Sequence, residues 1–274
     1  MSVQPLYRAE HLRPSYKLRY GWTGWPSAGT SFPAELESVA RELTDAWEGD
    51  GLRLLRSRFA VREAQLTFSV KPHVSPVLFT ARVKGRLQHG CRQRGVGVRF
   101  SRKMAMRSIG ENRREDVEAY IEGQVGKEPL ADPRFADLLR QFTVVCERVD
   151  LSRPTETRSG RYWYNLHVVL VTEARYRIGD PARLGRIRDT CFRVAEKKGH
   201  AISRLSVMPD HLHIALRGTI DHSPEDIVLA LMNNLAYALG QIRWWRRGYY
   251  AGTFSEYDMG AVRRASGEGA RRTT

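Results

Sequence analysis

The stretch Met208-Pro209-Asp210-His211-Leu212-His213-Ile214-Ala215-Leu216 decides how the rest of the chain is read. Its alternation predicts a β-strand, whose side chains point to opposite faces in turn. Leu212, Ile214 and Leu216 then enter a core, while His211 and His213 project together from the other face. Two neutral imidazoles at this spacing can share a divalent metal, although two ligands alone do not define a site and a histidine pair on a strand can also be structural.

Around this strand the pattern is regular. Tyr162 to Thr172 is an apolar, β-branched run and is expected as a strand. After the turn residues Gly179-Asp180-Pro181, Leu184, Ile187, Cys191 and Val194 recur at helical spacing from Ala182 to Lys198, and Gly199 follows as a stop. Ile202 to Leu216 reads as strand, Ser223-Pro224-Glu225 starts a helix leading to Leu239, and Tyr249 to Phe254 is a short strand.

The first half follows the same plan. Strands are expected at Tyr16 to Gly24 and Val98 to Ile109, a strand pair over Leu52 to Phe79, and helices over Pro33 to Trp47 and Glu115 to Val125. Ser69-Val70-Lys71-Pro72 aligns with Ser206-Val207-Met208-Pro209, and Phe100 to Glu111 aligns without gaps with Trp245 to Glu256, which indicates an internal duplication. Between the halves, Asp132-Pro133 begins a helix running to Val149, and Ser152 to Gly160 reads as linker. The expected division is therefore residues 1–130, a connector over 131–160, and residues 161–274.

A chain of 274 residues with 42% hydrophobic and 27% charged residues has the composition of folded protein rather than disordered or fibrous chain. Its formal net charge of +15 points to a polyanionic partner, because neutralising phosphates releases counterions. The charge is clustered: Arg82 to Arg114 holds eleven basic residues against Glu111 alone, and from Gln241 onward seven arginines face three acids. Three scattered cysteines, Cys91, Cys146 and Cys191, suggest neither a disulfide framework nor a thiolate zinc site and fit a reducing cytoplasm. No apolar signal core or membrane-spanning run is evident, so a soluble intracellular protein without a membrane partner is expected.

A second group of residues with chemical potential lies in Val117-Glu118-Ala119-Tyr120-Ile121-Glu122-Gly123-Gln124, where i, i+4 spacing puts Tyr120 and Gln124 on one helix face. A tyrosine suits covalent exchange at a phosphodiester because its phenolate is both nucleophile and competent leaving group. The same ring could equally be one half-buried residue of an amphipathic helix.

Met-Pro-Asp-His-Leu-His closely resembles the HUH motif of the one-tyrosine transposases of small bacterial insertion sequences, including those associated with repetitive extragenic palindromes. Tyr120 to Gln124 resembles that family's tyrosine helix, and Arg246-Arg247-Gly248-Tyr249-Tyr250 resembles the segment leading into it. These features span about Tyr16 to Arg264. The resemblance implies a metal site of His211, His213 and Gln124 for Mg²⁺ or Mn²⁺, with Tyr120 as the catalytic nucleophile. It also implies a 5′-phosphotyrosine intermediate and single-stranded, hairpin-forming DNA as partner. Arg102, Lys103 and Arg107, with Arg243, Arg246 and Arg247, are candidates for phosphate contacts. Trp244, Trp245, Tyr249 and Tyr250 could stack on unpaired bases or fill core.

The chain departs from the family pattern in both halves. In the motif alignment His211 and His213 fall opposite Val74 and Pro76, while Tyr120 and Gln124 fall opposite Ala265 and Gly269. Family members are typically dimers in which one subunit's tyrosine helix completes the other's histidine site. The expected fold is therefore α+β: two tandem ferredoxin-like (RRM-like) HUH domains, each an antiparallel sheet with packed helices, forming an intramolecular pseudo-dimer. The first would carry the tyrosine and the second the histidines, in a monomer that cleaves and rejoins single-stranded DNA. The alternative is a domesticated or inactive single-stranded DNA- or RNA-binding protein that keeps the fold.

Overall fold

The halves repeat one winding order, strand-helix-strand-strand-helix-strand, in a computed structural model that describes residues 4–128 and 133–256. In chain order the first part comprises β1 (Arg13–Lys17), β2 (Arg19–Pro26), α1 (Leu36–Glu42), α2 (Thr44–Gly49), β3 (Leu52–Ala60), β4 (Glu63–Val70), α3 (Pro76–Gln93), β5 (Phe100–Ser108) and α4 (Arg114–Glu122). The middle of the chain adds α5 (Pro133–Arg140), β6 (Thr143–Val145) and β7 (Thr155–Glu156). Then come β8 (Gly160–Trp163), β9 (Asn165–Thr172), α6 (Pro181–Lys198), β10 (Ala201–Val207), β11 (His211–Arg217), α7 (Pro224–Ala238) and β12 (Trp245–Thr253).

Two six-stranded sheets result, in the orders β3-β4-β2-β5-β8-β7 and β1-β12-β9-β11-β10-β6. Within each, the four strands of the repeat stand in the ferredoxin-like order, fourth-first-third-second, with antiparallel pairing. The molecule is thus α+β, with two tandem ferredoxin-like halves.

The sheets do not separate where the sequence divides. β1 pairs in parallel with β12, from Arg13 opposite Gly248 to Lys17 opposite Gly252. β8 pairs in parallel with β5, from Gly160 opposite Met104 to Trp163 opposite Arg107. Each repeat is therefore preceded by a short strand that belongs to the other repeat's sheet, and the chain crosses between sheets at one buried residue, Leu18 or Tyr164. The crossovers have matching hydrogen bonds: Arg19 N–H donates to Thr253 Oγ1 (2.9 Å) and Asn165 N–H donates to Ser108 Oγ (3.2 Å). Reciprocal exchange satisfies both crossing backbones and ties the halves into one unit.

The same correspondence fixes which residues are equivalent. Tyr20 opposes Ser108 as Leu166 opposes Thr253, and Thr23 opposes Gln65 as Val169 opposes His213. Gln65 therefore occupies the place of His213, Glu63 two residues earlier on β4 that of His211, and Gly21 that of His167. The expected counterparts Val74 and Pro76 are displaced from β4: Val74 lies in the turn after it, and Pro76 opens α3. The similarity between Ser69-Val70-Lys71-Pro72 and Ser206-Val207-Met208-Pro209 joins a third strand to a second strand, so it does not mark equivalent positions. The first half still lacks a histidine pair. Ala265 and Gly269 lie outside the described residues.

Local signals explain the elements that match expectation. α6 starts with Asp180 accepting from Ala182 N–H (3.0 Å), has Pro181 in its first turn and stops at Gly199, whose φ of 72° is left-handed. α7 starts at a capping box of Ser223 and Asp226. Other expectations change. Tyr16 to Gly24 is split between β1 and β2, Tyr162 to Thr172 between β8 and β9, and Ile202 to Leu216 is the β10–β11 hairpin. Pro33 to Trp47 forms two short helices rather than one, and the region after Val70 is helix α3, capped by Ser75. Within the connector α5 ends at Arg140, and β6 extends the second sheet beside β10.

Candidate functional site

One face of the second sheet is covered by α6 and α7, and its core residues Leu166, Val168, Leu170, Leu212, Ile214 and Leu216 are buried. On the other face stand His167, His211 and His213, and there the sheet receives α4 from the first half. The reason lies in the α4 sequence. Val117 and Ile121, one helical turn apart, pack with Leu151, Ala215 and Phe254. Arg204 of β10 reaches back to Glu118 (3.7 Å) and Glu122 on the same helix. Arg114 at its start binds Glu256 (3.1 Å), and its backbone N–H donates to Ser255 O (2.8 Å). Apolar docking is thus framed by ion pairs at both ends.

This docking carries Tyr120 to the histidines. Its ring centroid is 5.4 Å from that of His213 and 6.1 Å from that of His167, both edge-on. Tyr120 nevertheless stays 44% exposed, so its ring remains accessible from solvent. Lys127, just beyond the helix, places its ammonium 3.6 Å from the Tyr120 ring centroid. A cation over the aromatic face is held by the ring's quadrupole. Gln124 is buried, and its amide nitrogen donates to the Tyr120 carbonyl (2.7 Å). Among the described residues no hydrogen bond joins it to His211 or His213.

The histidines are oriented by partners on their Nδ1 atoms. His211 Nδ1 is 2.6 Å from Asp210 Oδ1, and Asp210 is held in turn by Arg175 (3.0 Å). His213 Nδ1 is 3.0 Å from His167 Nε2, with the two rings stacked at 25°. Burial pushes His213 down to about 2, with the nearby His167 and His211 adding to the shift, and burial alone pushes His167 down to about 4. Both are neutral at pH 7, the form in which imidazole binds metals. Burial raises the Asp210 carboxyl, but hydrogen bonds and charge from His211 and Arg175 outweigh it and hold the group below its ordinary value. Glu128, Asp210 and His211 offer ligand atoms within 4.8 Å of one another, and Glu128 also pairs with Arg177 (3.1 Å). Carboxylate oxygens with an imidazole nitrogen are a donor set that suits a small divalent cation such as Mn²⁺ or Mg²⁺; His213 and Gln124 are not part of that group.

The basic residues picked out in the sequence divide between the sheets. Arg102 and Lys103 are exposed on β5, and Arg107 of the same strand stacks on Trp163 (4.2 Å). Arg243, Arg246 and Arg247 are exposed at the start of β12. Because Trp245 opposes Thr172 and Val171 opposes His211, that start lies at the His211 end of the sheet, two strands or about 10 Å across. Among the aromatic candidates, Trp245 and Tyr249 are buried in the core. Trp244 instead packs beside Tyr176, and Tyr250 beside His167. His167, Lys127 and Arg204 were not singled out in the sequence. The available signal for His167 was a polar side chain on the non-core face of an otherwise apolar strand.

The fold and this geometry define a class: a tandem α+β protein in which a tyrosine helix from one ferredoxin-like half docks on the histidine strand of the other. Residues 161–264 match the family described as "Transposase IS200 like". That part of the chain, less than half of it, is thus similar to this transposase family. Among solved structures, a transposase candidate from Deinococcus radiodurans R1 is 22% identical, with 38% of this chain and 89% of that chain covered, at a TM-score of 0.31. A candidate glycine cleavage system transcriptional repressor is 14% identical over 86% of this chain and 97% of that one, at a TM-score of 0.21. Those scores are too low to establish a shared fold, which stands here on the strand order. No curated protein matches the chain. Among the described residues no helix is long and apolar enough to cross a membrane.

Proposed function

We propose that this chain cleaves and rejoins single-stranded DNA at one active centre shared between its halves. Residues 1–130 contribute Tyr120 and Gln124, residues 161–274 contribute His211 and His213, and residues 131–160 connect them. The observation that carries this reading is the 5.4 Å separation of the Tyr120 and His213 rings, which come from different repeats. A first half with Glu63 and Gln65 at the places of His211 and His213 supports it, because that half carries a tyrosine helix lodged against the other half's sheet.

In the reaction, the Tyr120 phenolic oxygen attacks the scissile phosphorus in line and releases its proton to solvent. The bond from phosphorus to the 3′ oxygen breaks, and that oxygen leaves as a 3′-hydroxyl after taking a proton. The product is a 5′-phosphotyrosine link, and attack by another 3′-hydroxyl reverses the step. His211, His213 and Gln124 would hold Mg²⁺ or Mn²⁺, which when bound supplies Lewis-acid polarisation of a non-bridging phosphate oxygen. Arg243, Arg246 and Arg247 line the approach to the His211 end, while Arg102, Lys103 and Arg107 extend a backbone-binding surface over the other sheet. DNA that folds into a hairpin beside the cut site is the expected substrate.

The test incubates a pool of labelled hairpin-flanked single-stranded oligonucleotides with the full chain and Mn²⁺. A covalent protein–DNA adduct is expected, with loss of at least about 100-fold in Tyr120→Phe and retained DNA binding. DNA binding without any adduct across the pool would overturn the enzyme reading in favour of a binding protein that keeps the fold.

A further inference from the structure

His167 lies outside the histidine motif, yet its ring nitrogen is the hydrogen-bond partner of His213 Nδ1. It is carried by β9, the central neighbour of β11, and Ala215 stands opposite it in the ladder. Its Nε2 meets His213 Nδ1 at 3.0 Å with the rings nearly parallel, and Tyr250 closes its far side with an edge contact at 5.7 Å between centroids. One proton can lie between two such nitrogens. If His213 donates it, the proton sits on Nδ1 and the lone pair remains on Nε2. If His167 donates it, His213 keeps its proton on Nε2 and cannot bind a cation there. The His211–Asp210 pair offers the same choice, and a carboxylate can only accept, so His211 carries its proton on Nδ1 and presents Nε2.

The duplicated half provides an internal comparison. The positions equivalent to His167, His211 and His213 are Gly21, Glu63 and Gln65, so all three imidazoles are missing from the half without the site. A histidine retained only to fill space beneath the sheet has no reason to disappear along with the pair it touches.

We propose that His167 is a positioning residue that accepts the His213 Nδ1 proton and thereby presents His213 Nε2 to the divalent cation. This rests on the metal reading of the His211–His213 pair given above. It gives the apolar strand β9 a part in the site that neither the paired-histidine motif nor the tyrosine helix contains.

The experiment titrates Mn²⁺ into the full-length chain, following free Mn²⁺ by electron paramagnetic resonance, with ¹⁵N-histidine spectra recorded in parallel. His167→Phe keeps a ring but removes the acceptor and is expected to weaken Mn²⁺ binding about 10- to 100-fold, with loss of the Nδ1-protonated signature of His213. His167→Gln places an amide oxygen near the position of Nε2 and is expected to recover most of that affinity. A Phe variant that binds Mn²⁺ as tightly as the unaltered chain, or a Gln variant as weak as Phe, overturns the positioning role alone. An unaltered chain that takes up no Mn²⁺ overturns the metal reading and this inference together.

Discussion

Burial pushes His167, His200 and His213 below the ordinary histidine value. His200 is an example away from the site: its Nδ1 accepts from Thr219 N–H (3.0 Å), and it packs edge-on to His222. Burial pushes it down to about 4, with the charges of His222 and Lys198 adding to the effect. Protonation therefore favours the unfolded chain, whose histidine titrates near 6.5. The stabilisation is intact above pH 6.5 and is lost as pH falls from there to about 4, below which both states carry the proton. The expected result is a urea midpoint that declines across this window, with a shallower decline in His200→Gln. Equal slopes for the two proteins would contradict it. At the same scale, the pairing of His211 with His213 on one strand face was legible from i, i+2 spacing, whereas Gln124 falls past the end of α4 at Glu122, and joining Tyr120 to the histidines rested on the family resemblance. His167 was not, since its closeness to His213 depends on which strands become neighbours, and nothing within β9 encodes that.

Helices and strands were legible where their ends carry chemistry. Asp180-Pro181 and Gly199 bracket α6, and Ser223-Pro224 opens α7. Ser75-Pro76 carries the same start signal for α3, but the apolar run Val74 to Phe79 resembles a strand at short range and masks it. The division of Tyr16 to Gly24 is illegible for another reason: the chain changes sheets at Leu18, a single buried apolar residue between exposed Lys17 and half-buried Arg19, with no turn residue to mark the crossing. The element that matters most is α4, whose nine residues are too few for a stable isolated helix, so its position depends on docking. Ile121→Ala removes a fully buried side chain and should weaken that docking by about 2–5 kcal/mol, with Arg204→Met adding to the loss. Faster amide exchange across α4, at least tenfold less DNA adduct and weaker Mn²⁺ binding are expected, because Gln124 follows directly on α4. Full protection of α4 in the double variant would show that other contacts hold it.

Over the whole molecule, duplication and exchange explain why one chain can build a site that its halves divide. Each repeat sends its leading strand into the other's sheet, so the halves cannot separate without breaking both the β1–β12 and the β8–β5 ladders. With that frame fixed, α4 is delivered to the second sheet, and under the proposed function the first half needs no histidine pair of its own. Tandem repetition was readable from β5 and β12, which align without gaps and take equivalent places in their sheets, whereas the strand exchange was not, because a ladder partner far away in sequence leaves no local trace. The central claim is that Tyr120 and the histidines act together within a single chain. Mixing Tyr120→Phe with His213→Ala tests it most directly, using hairpin DNA on which the unaltered chain forms adduct. The account predicts that the mixture forms no more adduct than either variant alone, because each molecule lacks half of its own site. Recovery of adduct in the mixture would contradict it by showing that tyrosine and histidines come together between chains.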